Sequence, residues 1–253
     1  KRASALCGMS KMNEVKIEDK PKVWITRTAP AAFKSASAWA QAGYAAAVAP
    51  VLEITHPDIT PELPAQDGVI IFTSGNAVTA FAEQTSLRHW PVVTVGEQTK
   101  RMAHDAGFRE VTSANGTSDD VTKIVMREYT KTRPIFHCCG NHVRGTIMED
   151  LQRAGYRAKK DLYYRSAPVA TLPKIDTALI DVVALYSPLG AKTVASFNPD
   201  LTQATLVSLS PAIDAAFFEA AGDVSCKARL IADAPRESAL IDAVTGVNCD
   251  HDS

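Results

Sequence analysis

The chain has 253 residues, of which 46% are hydrophobic and 22% charged, and its 27 Lys+Arg against 28 Asp+Glu leave a net charge of −1. That length suits two domains of ordinary size or one large one. The composition is that of a globular protein, not a disordered or fibrous one, and the balanced charge argues against a nucleic-acid or membrane partner, though not against a local basic cleft.

Residues 1–20 mix Lys, Arg, Glu and Asp with no apolar run. They read as a disordered N-terminal segment and not as a secretory signal. Val23 to Thr26 is a short apolar, β-branched run, and Pro30 then opens an Ala-rich helix that ends at Gly43. The richest apolar stretch, Ala29 to Leu52, is broken by Lys34, Gln41 and prolines, so no membrane-spanning helix is expected. Val69 to Thr73 reads as a strand buried on both faces, followed by a helix from Gly75 to Gln84 with Val78 and Phe81 on one face. Val92 to Val95 is another strand, and Lys100 to Ala106 a helix stopped by Gly107. The same alternation resumes at Ile135, Val182 and Leu206, which predicts parallel, three-layer α/β sheets. The odd count of five cysteines, with no paired CxxC, fits a reduced cytoplasmic setting.

The two halves repeat. Ala42-Gly43-Tyr44 returns as Ala154-Gly155-Tyr156, and Ile71-Phe72-Thr73-Ser74 as Ala184-Leu185-Tyr186-Ser187. Val95-Gly96-Glu97-Gln98-Thr99 returns as Leu209-Ser210-Pro211-Ala212-Ile213, and Gly107 as Gly222. The shift creeps from 112 to 115 residues in one direction, as loop insertions would make it. A duplication of this kind implies two similar domains with a cleft between them. The proline-bearing segments Pro50–Pro64 and Arg165–Pro173 are the natural crossings from one to the other.

No GxGxxG follows a strand, so a dinucleotide is not expected, and Gly140 to Gly145 lacks the Lys-Ser/Thr of a phosphate loop. His137 and His142 with Cys138 and Cys139 fit no known metal-ligand spacing, so neither metal nor cofactor is expected. What remains is a set of strand-to-helix turns: Ile25-Thr26-Arg27-Thr28, Thr73-Ser74-Gly75-Asn76, Gly96 to Thr99, Cys139-Gly140-Asn141, Tyr186-Ser187-Pro188 and Ser210-Pro211-Ala212. Strand ends of this type are where α/β sheets bind ligands, and helix starts offer unpaired N–H groups to carboxylates. Taken singly, each Ser or Thr there is better read as a helix cap, whereas six such turns in two facing domains are better read as a cleft for a polyanion.

The run Ile70-Ile71-Phe72-Thr73-Ser74-Gly75-Asn76-Ala77-Val78, with Val95-Gly96-Glu97-Gln98-Thr99 downstream, resembles the uroporphyrinogen-III synthase family. So do Ile25-Thr26-Arg27, the stretch Gly140 to Gly155, and Tyr164-Arg165-Ser166-Ala167-Pro168. The resemblance implies two similar three-layer parallel-sheet α/β domains joined by a two-stranded connection, with the active-site cleft between them. It implies a discontinuous domain of residues 21–52 and 169–253, with 53–168 inserted. The activity it implies is that of a cofactor-free lyase of haem biosynthesis. Such an enzyme removes water from hydroxymethylbilane, inverts its last pyrrole ring and closes the macrocycle to uroporphyrinogen III. A cytoplasmic monomer is the expected form.

The same resemblance puts the family's tyrosine on Tyr164, as proton donor to the leaving hydroxyl. A packing aromatic on a connecting strand is the plainer reading of that position. Tyr163, alternating to the other face of the strand, is the weaker candidate. Substrate contacts are expected from Arg27, Ser74, Gly75, Asn76, Gly96, Thr99, Gly140, Arg144, Ser187 and Ser210, with Lys192 as a further cation. The chain departs from the family in two places: Ile213 stands where a second threonine would fall, and Tyr186 precedes the second serine. A hinge-closing binding protein for an acidic small molecule, without catalysis, is the alternative that Ile213 favours.

Overall fold

The computed structural model describes residues 20–143 and 145–249, so Arg144 and all but the end of the expected disordered segment lie outside the described residues. By its contacts the chain divides into two compact units, one running up to Val51 and from Ala170 onward, the other from Leu52 to Val169.

The chain enters the first unit through β1 (Lys22–Ile25), α1 (Ala31–Gln41) and β2 (Ala45–Val48). Val23, Trp24 and Ile25 are fully buried, as a strand flanked on both sides requires. Pro30 caps α1, and Gly43 follows it at φ +94, a left-handed turn that costs glycine little.

The second unit opens with β3 (Leu52–Thr55) and continues through β4 (Val69–Phe72), α2 (Gly75–Gln84), β5 (Val92–Thr94), α3 (Glu97–Asp105) and β6 (Val111–Ser113). It closes with α4 (Ser118–Glu128), β7 (Ile135–Gly140), α5 (Ile147–Arg153) and β8 (Ala158–Pro168). Its sheet runs β3-β8-β7-β4-β5-β6. All pairs are parallel except β3 with β8, where Leu52 faces Pro168 and Thr55 faces Arg165. That departure from an all-parallel sheet has a simple cause: β3 carries the chain into the unit and β8 carries it back. All four residues of β4 are fully buried. Each is worth roughly 1.5–3 kcal/mol over an exposed position, an upper bound. One face of the sheet is covered by α2 and α3 around Phe72, Phe81 and Phe108, with ring centroids 5.7–5.8 Å apart. The other is covered by α4 and α5 through Val121, Val125, Ile147 and Leu151.

The chain then completes the first unit with β9 (Val182–Leu185), α6 (Pro188–Ser196), β10 (Thr205–Ser208), α7 (Pro211–Ala221), β11 (Ala228–Ile231) and α8 (Glu237–Cys249). That sheet is wholly parallel, in the order β11-β10-β9-β1-β2. The repeat thus has a structural counterpart. The run β4-α2-β5-α3 of one sheet matches β9-α6-β10-α7 of the other, each pair of strands adjacent and parallel. Among the described residues no helix is long and apolar enough to cross a membrane.

Candidate active site

In the second unit, β4, β7 and β8 deliver their ends to one place. β4 hands over to Ser74, the N-cap of α2, whose Oγ accepts the Asn76 N–H at 3.1 Å. A Cβ on Gly75 would lie 2.3 Å from Met102 Sδ, so α3 packs onto α2 through the space that this glycine leaves.

β7 and β8 pair in register from Ile135 and Ala158 up to Cys139 and Leu162, but Gly140 then faces Tyr164. One extra residue, Tyr163, has been taken up on β8, a β-bulge. The bulge suspends the alternation of the strand. Both tyrosines join the apolar cluster of Phe72 and Phe81, so Tyr163 is not turned to the opposite face as its position in sequence predicts. Tyr163 is a packing residue: its ring lies 5.5 Å from that of Phe81 and its hydroxyl donates to the Glu62 carbonyl at 2.8 Å.

Tyr164 packs the hydroxyl-bearing end of its ring against Gly140. A Cβ there would meet its Cζ at 2.4 Å and its hydroxyl at 2.8 Å, so only glycine admits the ring in this pose. Burial pushes the phenol above its ordinary pKa; the Ser74 hydroxyl pulls it part of the way back, and Cys139 adds slightly to the rise. Tyr164 therefore stays a neutral donor through the physiological range. One turn back, His137 is buried on β7 with Nε2 3.0 Å from Thr73 Oγ1, and its Nδ1 has no partner among the described residues. Burial, then Lys160, lowers its pKa to about 4 against a small opposing effect of Glu149, so the imidazole is neutral.

On the neighbouring strand, Gly96 caps α3 with an extended backbone, and a Cβ on it would touch nothing within 4 Å. Approach to the first-turn amides of Glu97 and Gln98 is thus open. Thr99, in the first turn of α3, is only 8% exposed.

In the first unit the strand ends are less generous than the sequence predicts. Ser187 caps α6 by accepting the Gly190 N–H at 3.0 Å, and Ser210 stands at the N-cap of α7 without a side-chain cap bond. Both helices begin with proline, Pro188 and Pro211, which has no N–H. Each proline thus leaves its turn with one backbone donor fewer, and at α6 the Ser187 cap takes the Gly190 N–H as well. Ile213 is buried where the resemblance expects a threonine, and Lys192 pairs with Glu219 at 3.0 Å.

Arg27 is not a free cation. It pairs with Glu237 at 3.4 Å and lies with Cζ 4.6 Å above the Tyr186 ring. Burial, with Glu237 alongside, pushes the Tyr186 phenol above its ordinary value. Sequence reading missed Glu237, which no motif marks. For Tyr186 there was a signal, since the repeat replaces the small Thr73 with a large phenol at that position. Thus, in the second unit, Ser74, Gly75 and Asn76 after β4 stand with Gly140 at the end of β7 and Tyr164 on β8, and Gly96 and Thr99 lie at the start of α3, which follows the adjoining β5. Arg27, Ser187 and Ser210 stand at the ends of β1, β9 and β10, neighbours in the sheet of the first.

The family model described as uroporphyrinogen-III synthase HemD matches residues 33–242, well over half of the chain. Among solved structures, the chain is similar to a uroporphyrinogen-III synthetase from Helicobacter pylori 26695, with a TM-score of 0.62 at 17% identity. That match covers 90% of this chain and 99% of the other. It is also similar to a mutant uroporphyrinogen III synthase from the extremely thermophilic bacterium Thermus thermophilus, with a TM-score of 0.50 at 14% identity over 92% of this chain and 99% of that one. At such identities these likenesses speak to the fold alone. No curated protein matches the sequence.

Proposed function

The chain belongs to the uroporphyrinogen-III synthase family, and we propose that it acts as a lyase, taking water from hydroxymethylbilane and closing it to uroporphyrinogen III with the last ring inverted. Membership makes it an enzyme of haem biosynthesis whose substrate is a small tetrapyrrole. A cytoplasmic monomer working without a cofactor completes the reading.

The observation that carries the chemical assignment is the Tyr164 phenol, held against Gly140 beside Ser74 where β4 and β7 end and β8 leaves its pairing with β7. As the terminal C–O bond of the substrate breaks, the phenol gives its proton to the departing hydroxyl, which leaves as water. The pyrrole nitrogen supplies the electron pair that stabilises the resulting cation. The cation is attacked by the bridge-bearing α-carbon of the last ring, giving a spirocyclic intermediate. The bond from that carbon to the old bridge methylene then breaks, leaving a cation on the preceding ring. That cation bonds to the free α-carbon of the inverted ring, and the proton lost from that carbon restores the phenol. Because the pyrrole itself drives departure, the larger task is to hold a flexible chain in the coil that gives isomer III. Ser74, Gly75 and Asn76 at the start of α2, Gly96 and Thr99 on α3, and Ser187, Ser210 and Arg27 in the first unit are the proposed contacts for its acetates and propionates, and Arg144 is proposed with them. Beyond Ile213 standing where a threonine is expected, nothing favours the non-catalytic alternative, and family membership speaks for the enzyme.

Tyr164→Phe keeps the ring and its packing and removes only the donor. The expected result is a folded enzyme whose single-turnover rate falls by about 10²-fold, the low end for general-acid assistance. The ratio of isomer III to the spontaneous isomer I should fall with it. A variant with wild-type rate and ratio would leave catalysis to positioning alone.

A further inference from the structure

At the ends of β1 and β9 one carboxylate gathers four donors. Glu237, in the first turn of α8, accepts through Oε1 from the Tyr186 hydroxyl at 2.8 Å and Trp39 Nε1 at 3.1 Å. Through Oε2 it accepts from Ser35 Oγ at 2.8 Å and from one guanidinium nitrogen of Arg27 at 3.4 Å. The charged donor is the most distant of the four. Arg27 also reaches Ser35 Oγ at 3.4 Å and lies over the Tyr186 ring that Glu237 itself holds in place. Its remaining guanidinium nitrogens have no partner among the described residues, and its side chain is 26% exposed. Glu237 therefore fixes Arg27 from two directions, opposes part of its charge, and leaves donors free for an incoming anion.

We propose that Glu237 is a positioning residue that moderates the grip of Arg27 on a substrate carboxylate. The inference rests on the reading of Arg27 as a carboxylate contact. Substrate and product of the proposed reaction carry the same acetates and propionates, so a contact with them binds both alike. Uniform binding of that kind does nothing for the chemical step and delays release of product. An opposing carboxylate 3.4 Å from the guanidinium limits it.

Glu237→Gln tests this in the full chain. Its amide oxygen still accepts from Tyr186 and Trp39 and its amide nitrogen can donate to Ser35, while the charge facing Arg27 is lost together with the long hydrogen bond it accepted from that guanidinium. The expected result is a KM for hydroxymethylbilane lowered by about two- to fivefold, the range of a partly exposed ion pair, with no gain in kcat. The dissociation constant for uroporphyrin III, a non-reacting polycarboxylate porphyrin, should fall in the same proportion and depend more steeply on salt. In an Arg27→Gln background the second change should leave both constants where they are, because the effect passes through Arg27. Tyr186→Phe, which removes one donor from Glu237 and so tightens its hold on Arg27, should move both constants upward. A folded Glu237→Gln protein with raised or unaltered constants would overturn the proposal. So would an equal effect with and without Arg27, or tighter binding in Tyr186→Phe. Wild-type protein that binds the porphyrin but does not convert hydroxymethylbilane would instead remove the synthase reading while leaving the binding arm to judge Glu237.

Discussion

A methyl group added at Gly140 would fall 2.4 Å from Cζ of Tyr164, so one of the two must move. The ring is the softer partner, being the far end of a side chain. Gly140→Ala is therefore expected to cost about 1–3 kcal/mol, as overpacking does, and to displace the phenol from its place beside Ser74. On the proposed mechanism its isomer-III rate should fall as far as that of Tyr164→Phe, and the double variant should fall no further. A Gly140→Ala enzyme of full activity would show that the placement of the phenol is immaterial. At this scale the sequence is partly legible. Gly140 and Tyr164 stand out by resemblance, but nothing in a one-dimensional pattern reveals that a bulge sets them face to face. That bulge is also why Tyr163 and Tyr164 share one cluster, where strict alternation would part them. Arg27 is legible as a cation; the carboxylate that claims it lies 210 residues away in a helix with no motif.

β7 shows how an element places a titratable group where its charged form is excluded. His137 is flanked by Ile71 on β4 and Lys160 on β8, with Glu149 of α5 and the Thr73 hydroxyl also facing it. Its folded pKa of about 4 lies below the ordinary value of 6.5. Between those values the unfolded chain takes up a proton that the folded chain refuses. The stability His137 contributes above pH 6.5 is lost as the pH falls towards 4, and a gap of that size corresponds to roughly 3 kcal/mol at most. His137→Gln, which keeps a hydrogen-bonding group near Thr73 but cannot titrate there, should show a shallower loss of urea midpoint between about pH 7 and pH 4.5 than wild type. Parallel curves would mean that the imidazole is not held neutral. The elements themselves are well marked in sequence where a run is apolar throughout, as at β4, or bracketed by caps, as at α2. The antiparallel pairing of β3 with β8 is not, because β3 alternates half-buried and exposed residues, the stretch of β8 that pairs with it has no buried residue, and their partnership depends on the path of the chain.

On the scale of the whole molecule, the creeping repeat is the most legible feature, since two copies of one strand-helix pattern must each build a sheet. What the repeat does not reveal is that one copy interrupts the other. The stretch from Leu52 to Val169 forms a unit by itself, of ordinary domain size, with helices on both faces of its sheet. Its core holds Phe72, Phe81, Phe108, Trp90 and the fully buried β4, and none of these needs a residue from outside the stretch for its burial partners within the cluster. The first unit has no such continuity: β1 pairs with β9 across the whole insertion, so its core closes only when both of its segments are present. A fragment of residues 52–169 is therefore expected to fold alone, with a single cooperative urea transition by circular dichroism and a matching transition in Trp90 fluorescence. The fragment of residues 20–51 alone should stay unfolded, because β1 and β2 would have no sheet to join. On the proposed function the 52–169 fragment should give no excess of isomer III, since Arg27, Ser187 and Ser210 are missing from it. If that fragment shows no cooperative transition, the buried faces of its sheet are not sufficient to hold it, and the unit is a domain only in the company of the rest of the chain.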